Sequence, residues 1–286
     1  MQVDINRLRG WIGREETASE VVTPGLVSRF NATFDRTSSL DAGAEAPILV
    51  HFCLSQPAVP TAELGLDGHP ERGAFLPPVP LPRRMWAGGS IEFHNPIRIG
   101  DLVSRRSVIE DVTIKEGRSG TLCFVSVVHH IESGGRAALT ETQDIVHRAA
   151  PTGSTAAGPS QDTDPVPAGP KQRAISVSAP FLFRYSALTF NAHRIHYDES
   201  YSRQDEGYPD LVVHGPLQAT LLCQYAADLW GNAPTSFRFR SQSPLFASDE
   251  FALNAVQDED KLNLWTVRPD GSVSMRATAH WQTQLP

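Results

Sequence analysis

Twice in this chain, 148 residues apart, a strand-like stretch runs into a proline-containing turn that ends in aspartate, and three alternating segments follow. The first copy is Ser90 to His94 with Asn95-Pro96-Ile97-Arg98-Ile99-Gly100-Asp101; the second is Ser236 to Arg240 with Ser243-Pro244-Leu245-Phe246-Ala247-Ser248-Asp249. Only Pro and Asp are identical between the two turns, but their shared surroundings make them a repeat. A duplicated unit restricts the fold more than composition does, because each copy must bury the same faces. The segments after the first turn are Leu102 to Ile114, Thr121 to Ile131 and Ala137 to Arg148. Those after the second are Glu250 to Gln257, Lys261 to Arg268 and Ser272 to Trp281. The connections Lys115–Gly120, Ser133–Gly135 and Pro269–Gly271 carry glycine, and Asp258–Asp260 is acidic. Period-two runs joined by such turns are hairpins, so each half ends in an antiparallel meander.

Upstream of the second meander, Pro216 to Trp230 places Leu217, Leu221, Leu222, Tyr225 and Leu229 on one helical face. Upstream of the first, Pro47 to Leu54 is a shorter candidate helix with Ile48, Leu49, Phe52 and Leu54. A helix wrapped by a curved sheet, occurring twice, is an α+β arrangement. Pairing the two sheets edge to edge would remove one exposed edge from each. Between the halves, residues 149–170 contain no Leu, Ile, Phe, Trp, Tyr or Met and read as a linker. The expected organisation is a first half at 1–148, a linker at 149–170 and a second half at 171–286.

The balance of 25 Lys and Arg against 32 Asp and Glu, a net charge of -7, argues against nucleic acid as a partner. Cys53, Cys123 and Cys223 are far apart with apolar neighbours, and read as small core residues rather than a disulfide or zinc set. No apolar run suits a membrane span and Met1 to Glu16 has no secretory core, so no membrane and a cytoplasmic location are expected.

Chemistry concentrates in Phe183 to Tyr201 and Leu211 to Pro216. Asn191, His193, Arg194, His196 and Asp198 fall within eight residues. A metal reading would use His193, His196 and Asp198, but their spacing implies no further ligand, and none is assigned. Ser186 and Ser200 lie in no nucleophile elbow, and Cys223 falls within the predicted helix. The bland alternative has His193 and His196 capping loops, and His214-Gly215 as an ordinary helix entry.

The string TFNAHRIHYDESY (189–201) with LVVHGPLQATLL (211–222) resembles the MaoC-like hot-dog hydratases and dehydratases. It is most similar to the type 2 hydroxyacyl-thioester dehydratases and the itaconyl-CoA and mesaconyl-C4-CoA hydratases. LPRRMWAGGSIEF (81–93), KEGRSG (115–120) and Gln143-Asp144-Ile145-Val146 resemble the first half of that subfamily. The resemblance implies a double hot-dog fold, matching the duplication. It also implies reversible hydration of a 2-enoyl-CoA thioester, with a short branched dicarboxylic acyl group as the expected substrate and no cofactor beyond the CoA of the substrate.

The family motif D-x-N-P-x-H ends in a catalytic histidine, which places His196 as the acid/base group. Where the motif has Asp, this chain has Asn191. Either Asn191 orients water while His196 shuttles the proton, or Asp198 or another carboxylate is the second acid/base group. The Gly215 N–H, at the helix start, is the expected donor to the thioester oxygen. His214, Arg83, Arg84, Arg184 and Arg194 are candidate binders of substrate carboxylate or CoA phosphate. The first half lacks the motif, so one site per chain is expected, with Gln56 to Pro82 as a lid or tunnel wall. Two alternatives stand beside the hydratase: a 3-hydroxyacyl-acyl-carrier-protein dehydratase, and a non-catalytic acyl-CoA-binding protein. A thioesterase on the same fold is a weaker one. A homodimer is compatible with the hot-dog resemblance.

Overall fold

The computed structural model describes residues 3–117, 120–149 and 166–281. The first half comprises α1 (Ile5–Arg9), β1 (Glu15–Val21), α2 (Pro24–Thr33), β2 (Arg83–Phe93), β3 (Leu102–Gly117), β4 (Gly120–Ser133) and β5 (Arg136–Arg148). The second comprises β6 (Lys171–Ile175), α3 (Ala179–Leu188), α4 (Glu199–Gln204), α5 (Gly215–Trp230), β7 (Ser236–Ser241), β8 (Phe251–Asp258), β9 (Lys261–Val267) and β10 (Val273–His280). Most of the expected linker, residues 150–165, and the tip of the KEGRSG turn lie outside the described residues. Val166 and Gly169, at the linker's end, are held by the Gly271 carbonyl and the Asn254 side chain respectively.

The ten strands among the described residues form one sheet in the order β1-β3-β4-β5-β2-β7-β10-β9-β8-β6. The halves join where β2 pairs antiparallel with β7, Gly88 opposite Arg240 and Glu92 opposite Ser236. This is the edge-to-edge fusion the duplication implies. It demands glycine at the seam: a Cβ on Gly88 would lie 2.5 Å from the Phe239 carbonyl oxygen, and one on Gly89 2.4 Å from that of Thr142. The strand shifts register by a bulge between Trp86 and Gly88, where such glycines belong.

The second half wraps α5, whose Leu217, Leu222, Cys223 and Tyr225 are buried against the sheet together with Phe237, Leu264 and Met275. In the first half the expected helix at Pro47 to Leu54 is not formed; a four-residue 3-10 turn, Val50–Cys53, takes its place. Only a few residues separate His51 from Pro57 and Pro60, too short a run to offset helix nucleation before prolines end it. Leu49-Val50-His51-Phe52 nonetheless echoes Val212-Val213-His214-Gly215, with phenylalanine where the second half has glycine. Helices α2 and α3, which the periodicity reading passed over, are likewise related: each has an N-cap hydroxyl, Thr23 or Ser178, and an early proline. The three cysteines are free and buried, as expected of core residues.

Candidate active site

The site is built at the start of α5. The extended chain before it is clamped by the second repeat turn: the Val213 N–H donates to the Leu245 carbonyl (2.8 Å) and the Ala247 N–H to that of Leu211 (2.9 Å). Helix α5 then begins without a side-chain cap and with Pro216 in its first turn. Among the described residues nothing accepts from the N–H groups of Gly215 or Leu217. These free donors, at the positive end of a 16-residue helix, suit an oxygen that gains negative charge. A Cβ on Gly215 would lie 3.3 Å from Trp86 Cε3, so the helix start and β2 approach closely here.

Beside it runs the histidine string. The Asn191 Oδ1 accepts from the His193 N–H (3.0 Å), an Asx turn that sends the chain into the 3-10 turn Arg194–His196. His196 is 7% exposed. Its Nδ1 lies 2.7 Å from the Val212 carbonyl oxygen. A carbonyl can only accept, so Nδ1 carries the proton and Nε2 presents a lone pair that no described residue uses. Burial pushes the pKa down to about 4, keeping the imidazole neutral at pH 7. His214 stacks on it, with ring centroids 3.6 Å apart, and bonds through Nε2 to the Ser186 hydroxyl (2.8 Å). The His193 ring stands edge-on to His196 at 5.3 Å.

The first half completes this row. Asp67 and His69, within the Gln56 to Pro82 stretch, reach the histidine string: the His69 ring is 4.1 Å from that of His193. His69 Nδ1 lies 3.0 Å from Asp67 Oδ2 and the His69 N–H donates to Asp67 Oδ1. The carboxylate therefore fixes the tautomer and leaves His69 Nε2 free. Burial pushes His69 down to about 4 against the opposing pull of Asp67. Burial raises Asp67, but its bonds to His69 outweigh this and hold it below the usual range. His193 is pushed down by burial and then by its histidine neighbours. The two segments interlock through the backbone, the Arg194 N–H donating to the Asp67 carbonyl (2.9 Å). Gly68, at φ +86°, passes so close that a Cβ would lie 1.8 Å from the Ala192 carbonyl oxygen.

Asp67, His69 and His193 offer donor atoms within 4.8 Å of one another, near enough to share a cation. The two bonds Asp67 already accepts from His69, and the cationic Arg72 and Arg84 nearby, fit a hydrogen-bonded base better.

Several expected site residues serve elsewhere. Asp198 caps α4 by accepting from the Tyr201 N–H and pairs with Arg194 Nη2 at 2.8 Å, so both of its oxygens have partners in the fold. Arg194 also donates to the Leu66 carbonyl and lies over the Tyr201 ring, so its guanidinium braces the loop. His214, 1% exposed, is stacked behind His196. Arg83 pairs with Glu206 (3.1 Å) and lies over Tyr208. Arg184 is turned about 100° round α3 from Tyr185 and lines a cavity of about 540 Å³ with Arg29, Phe183 and Phe190, a cavity whose lining includes none of the histidines. Asn191 accepts the His193 N–H with its amide oxygen in the Asx turn, and its Nδ2 has no partner among the described residues. Asp67 and His69, which the sequence reading did not single out, bring the first half up to the histidine string. Nothing local marks them in a Pro- and Gly-rich stretch; the available signal was an Asp-x-His beside a glycine.

Comparison with known proteins decides the family. The description hydroxyacyl-thioester dehydratase type 2 matches residues 49–247, well over half of the chain. The chain belongs to this family. It is 42% identical to the mesaconyl-C(4)-CoA hydratase of Chloroflexus aurantiacus, over 94% of this chain and 95% of that protein. It is 26% identical to the mitochondrial hydroxyacyl-thioester dehydratase type 2 of Schizosaccharomyces pombe, over 76% of this chain and 79% of that one. Among solved structures, a MaoC-like dehydratase from Phytophthora capsici superposes with a TM-score of 0.69 at 15% identity, covering 98% of this chain and 100% of that one. A Mycobacterium tuberculosis protein described as a double hot-dog superposes with a TM-score of 0.57 at 14% identity, covering 94% and 96%. The fold of this type 2 dehydratase relative is thus the double hot-dog, with one of its two central helices reduced to a turn. No helix among the described residues is long and apolar enough to cross a membrane.

Proposed function

We propose that this protein catalyses the reversible addition of water to the double bond of a 2-enoyl-CoA thioester, with a short branched dicarboxylic acyl group as substrate. The observation that carries the proposal is the pairing of a neutral imidazole, His196 with a free Nε2, and an uncapped helix start at Gly215. In this reading the thioester oxygen accepts from the Gly215 and Leu217 N–H groups, which hold the charge of the enolate as it forms. The water oxygen bonds to the β-carbon, His196 Nε2 takes the water proton, and the π electrons move toward the thioester oxygen. The same imidazole then returns that proton to the α-carbon, so the atoms of one water are added and the enzyme is unchanged.

The water's second O–H donates to the free Nε2 of His69, with Asp67 keeping His69 in the required tautomer and the His193 ring packed beside it. This assigns to an Asp–His pair from the first half the polar task that the family aspartate would perform at Asn191. The dicarboxylic substrate is supported by the identity to mesaconyl-C(4)-CoA hydratase along nearly the whole of both chains.

Enoyl-thioester absorbance followed with purified protein, beside a free-thiol assay, tests the reading. Loss of absorbance without thiol is expected with mesaconyl-C4-CoA, and faster than with crotonyl-CoA. Release of thiol would indicate a thioesterase, greater activity on long acyl-carrier-protein thioesters a fatty-acid dehydratase, and binding without turnover a carrier.

A further inference from the structure

Of the four candidate arginines and Arg72, which lies beside the site, all but one already have a place in the fold. Arg83 is paired with Glu206 and Arg194 with Asp198, Arg184 lies outside the histidine cluster, and Arg72 donates to the carbonyls of Val79, Leu81 and Pro82. Arg84 differs from all of them. It is half-buried, yet among the described residues it makes no hydrogen bond and no ion pair. Its charged and titratable neighbours are Asp67, Arg72, His69, His193 and His147. His147, its cross-strand partner on β5, is fully buried with neither ring nitrogen bonded. Burial pushes His147 down to about 3, with Arg72 and Arg84 adding to the effect, and burial lowers Arg84 itself to about 10. Two guanidinium groups thus share one carboxylate, Asp67, which is already bonded to His69. A recessed cation so placed calls for an anion.

Geometry narrows which anion. Arg84 and Trp86 are two residues apart on β2, before its bulge, so their side chains leave the same face of the sheet about 7 Å apart. Trp86 is the residue packed against Gly215, the donor to the thioester oxygen. An anion held by Arg84 therefore sits within one acyl chain's length of the thioester carbonyl. The CoA phosphates, separated from the sulfur by the two amides of the pantetheine arm, lie beyond that span. A carboxylate on a four-carbon acyl backbone lies within it, and its two oxygens match the guanidinium fork.

We infer that Arg84 is the specificity-determining residue of this site and binds the free carboxylate of a short dicarboxylic acyl thioester, beside the histidines that handle the water. The inference rests on the hydratase reading and narrows it to acyl groups bearing an anion at or near the β-carbon.

The test compares kcat/KM for mesaconyl-C4-CoA and crotonyl-CoA in the wild type, Arg84→Met and Arg84→Lys, with folding checked by circular dichroism. The mesaconyl-to-crotonyl ratio should fall about 100-fold in Arg84→Met, as loss of a charged hydrogen-bonded pair implies. It should recover in part in Arg84→Lys, which keeps the charge and loses the fork. An unchanged ratio in a folded variant, or equal losses on both substrates, would overturn the assignment. Calorimetric binding of succinyl-CoA against butyryl-CoA, saturated thioesters with no double bond or β-hydroxyl to react, reads the same preference without turnover, and needs no variant. A wild type that prefers the dicarboxylic ligand but hydrates neither substrate would end the hydratase reading and keep Arg84. One that binds both equally would end the Arg84 assignment whatever its activity.

Discussion

Replacing Gly68 with alanine should uncouple the two halves of the site while leaving the fold in place. Gly68 adopts φ +86°, which for a residue with a Cβ costs about 1–2 kcal/mol. The larger effect is steric, because the new Cβ would lie 1.8 Å from the Ala192 carbonyl oxygen. Both partners there are backbone, so the loop must withdraw by more than 1 Å to restore an ordinary contact. Withdrawal breaks the bond from the Arg194 N–H to the Asp67 carbonyl, worth about 0.5–1.5 kcal/mol. It also carries Asp67 and His69 away from His193. The expected total is roughly 2–3 kcal/mol of local stability, with a fall in kcat of about 10²-fold, the usual effect of an ångström's misplacement in a reacting site. Gly13→Ala is the control: it has a similar φ of +82° with nothing within 4 Å of the added carbon, so it should lower Tm and leave kcat unchanged. Hydration kinetics, thermal melts and hydrogen exchange across residues 60–80 would follow both variants. A folded Gly68→Ala enzyme with wild-type kcat would refute the claim that the first half's loop serves the reaction.

Three further outcomes are expected. Asp67→Asn should lower kcat with little change in Tm, since an amide can hold the His69 ring in the wrong tautomer; a kcat equal to wild type would remove His69 from the water site. Asp198→Ala should lower stability by about 1 kcal/mol, the usual worth of an N-cap, with a smaller effect on kcat than His196→Gln; the reverse order would restore Asp198 as an acid/base group. Stability should fall between pH 6.5 and 4. Burial lowers His69 and His196 to about 4 and His147 to about 3, so these groups bind protons in the unfolded chain before the folded one does. Their stabilising share is present above pH 6.5 and is lost as the pH falls, at up to about 1.4 kcal/mol per pH unit for each group. Urea melts should show that slope, and His196→Gln should flatten it.

The meanders and α5 were legible because period-two and helical patterns persist over long runs, and the repeated turn at Pro96 and Pro244 marked the duplication. Strand β6, Lys171–Ile175, was not, being a short edge strand with an almost wholly exposed face and no alternation to detect. The first-half helix was anticipated from four apolar residues that instead pack around a 3-10 turn. His196 and Gly215 could be named from their motifs, but the tautomer of His196 depends on a carbonyl sixteen residues away. The arginines could not be sorted at all, because Arg83 finds its carboxylate 123 positions later in the chain. Asp67 and His69 reach the histidine string through contacts between the halves, the approach of Gly68 to Ala192 and the bond from Arg194 to Asp67 among them, that no local pattern encodes.

The central claim is that a neutral His196 opposite the Gly215 donor adds water to an enoyl thioester. The most direct measurement is the loss of enoyl absorbance of mesaconyl-C4-CoA with wild type and His196→Gln at equal concentration, with free thiol read in parallel. The account predicts loss without thiol in the wild type and a rate about 10²- to 10⁴-fold lower in the variant. No absorbance loss in the wild type, or an undiminished rate in a folded His196→Gln, would contradict it.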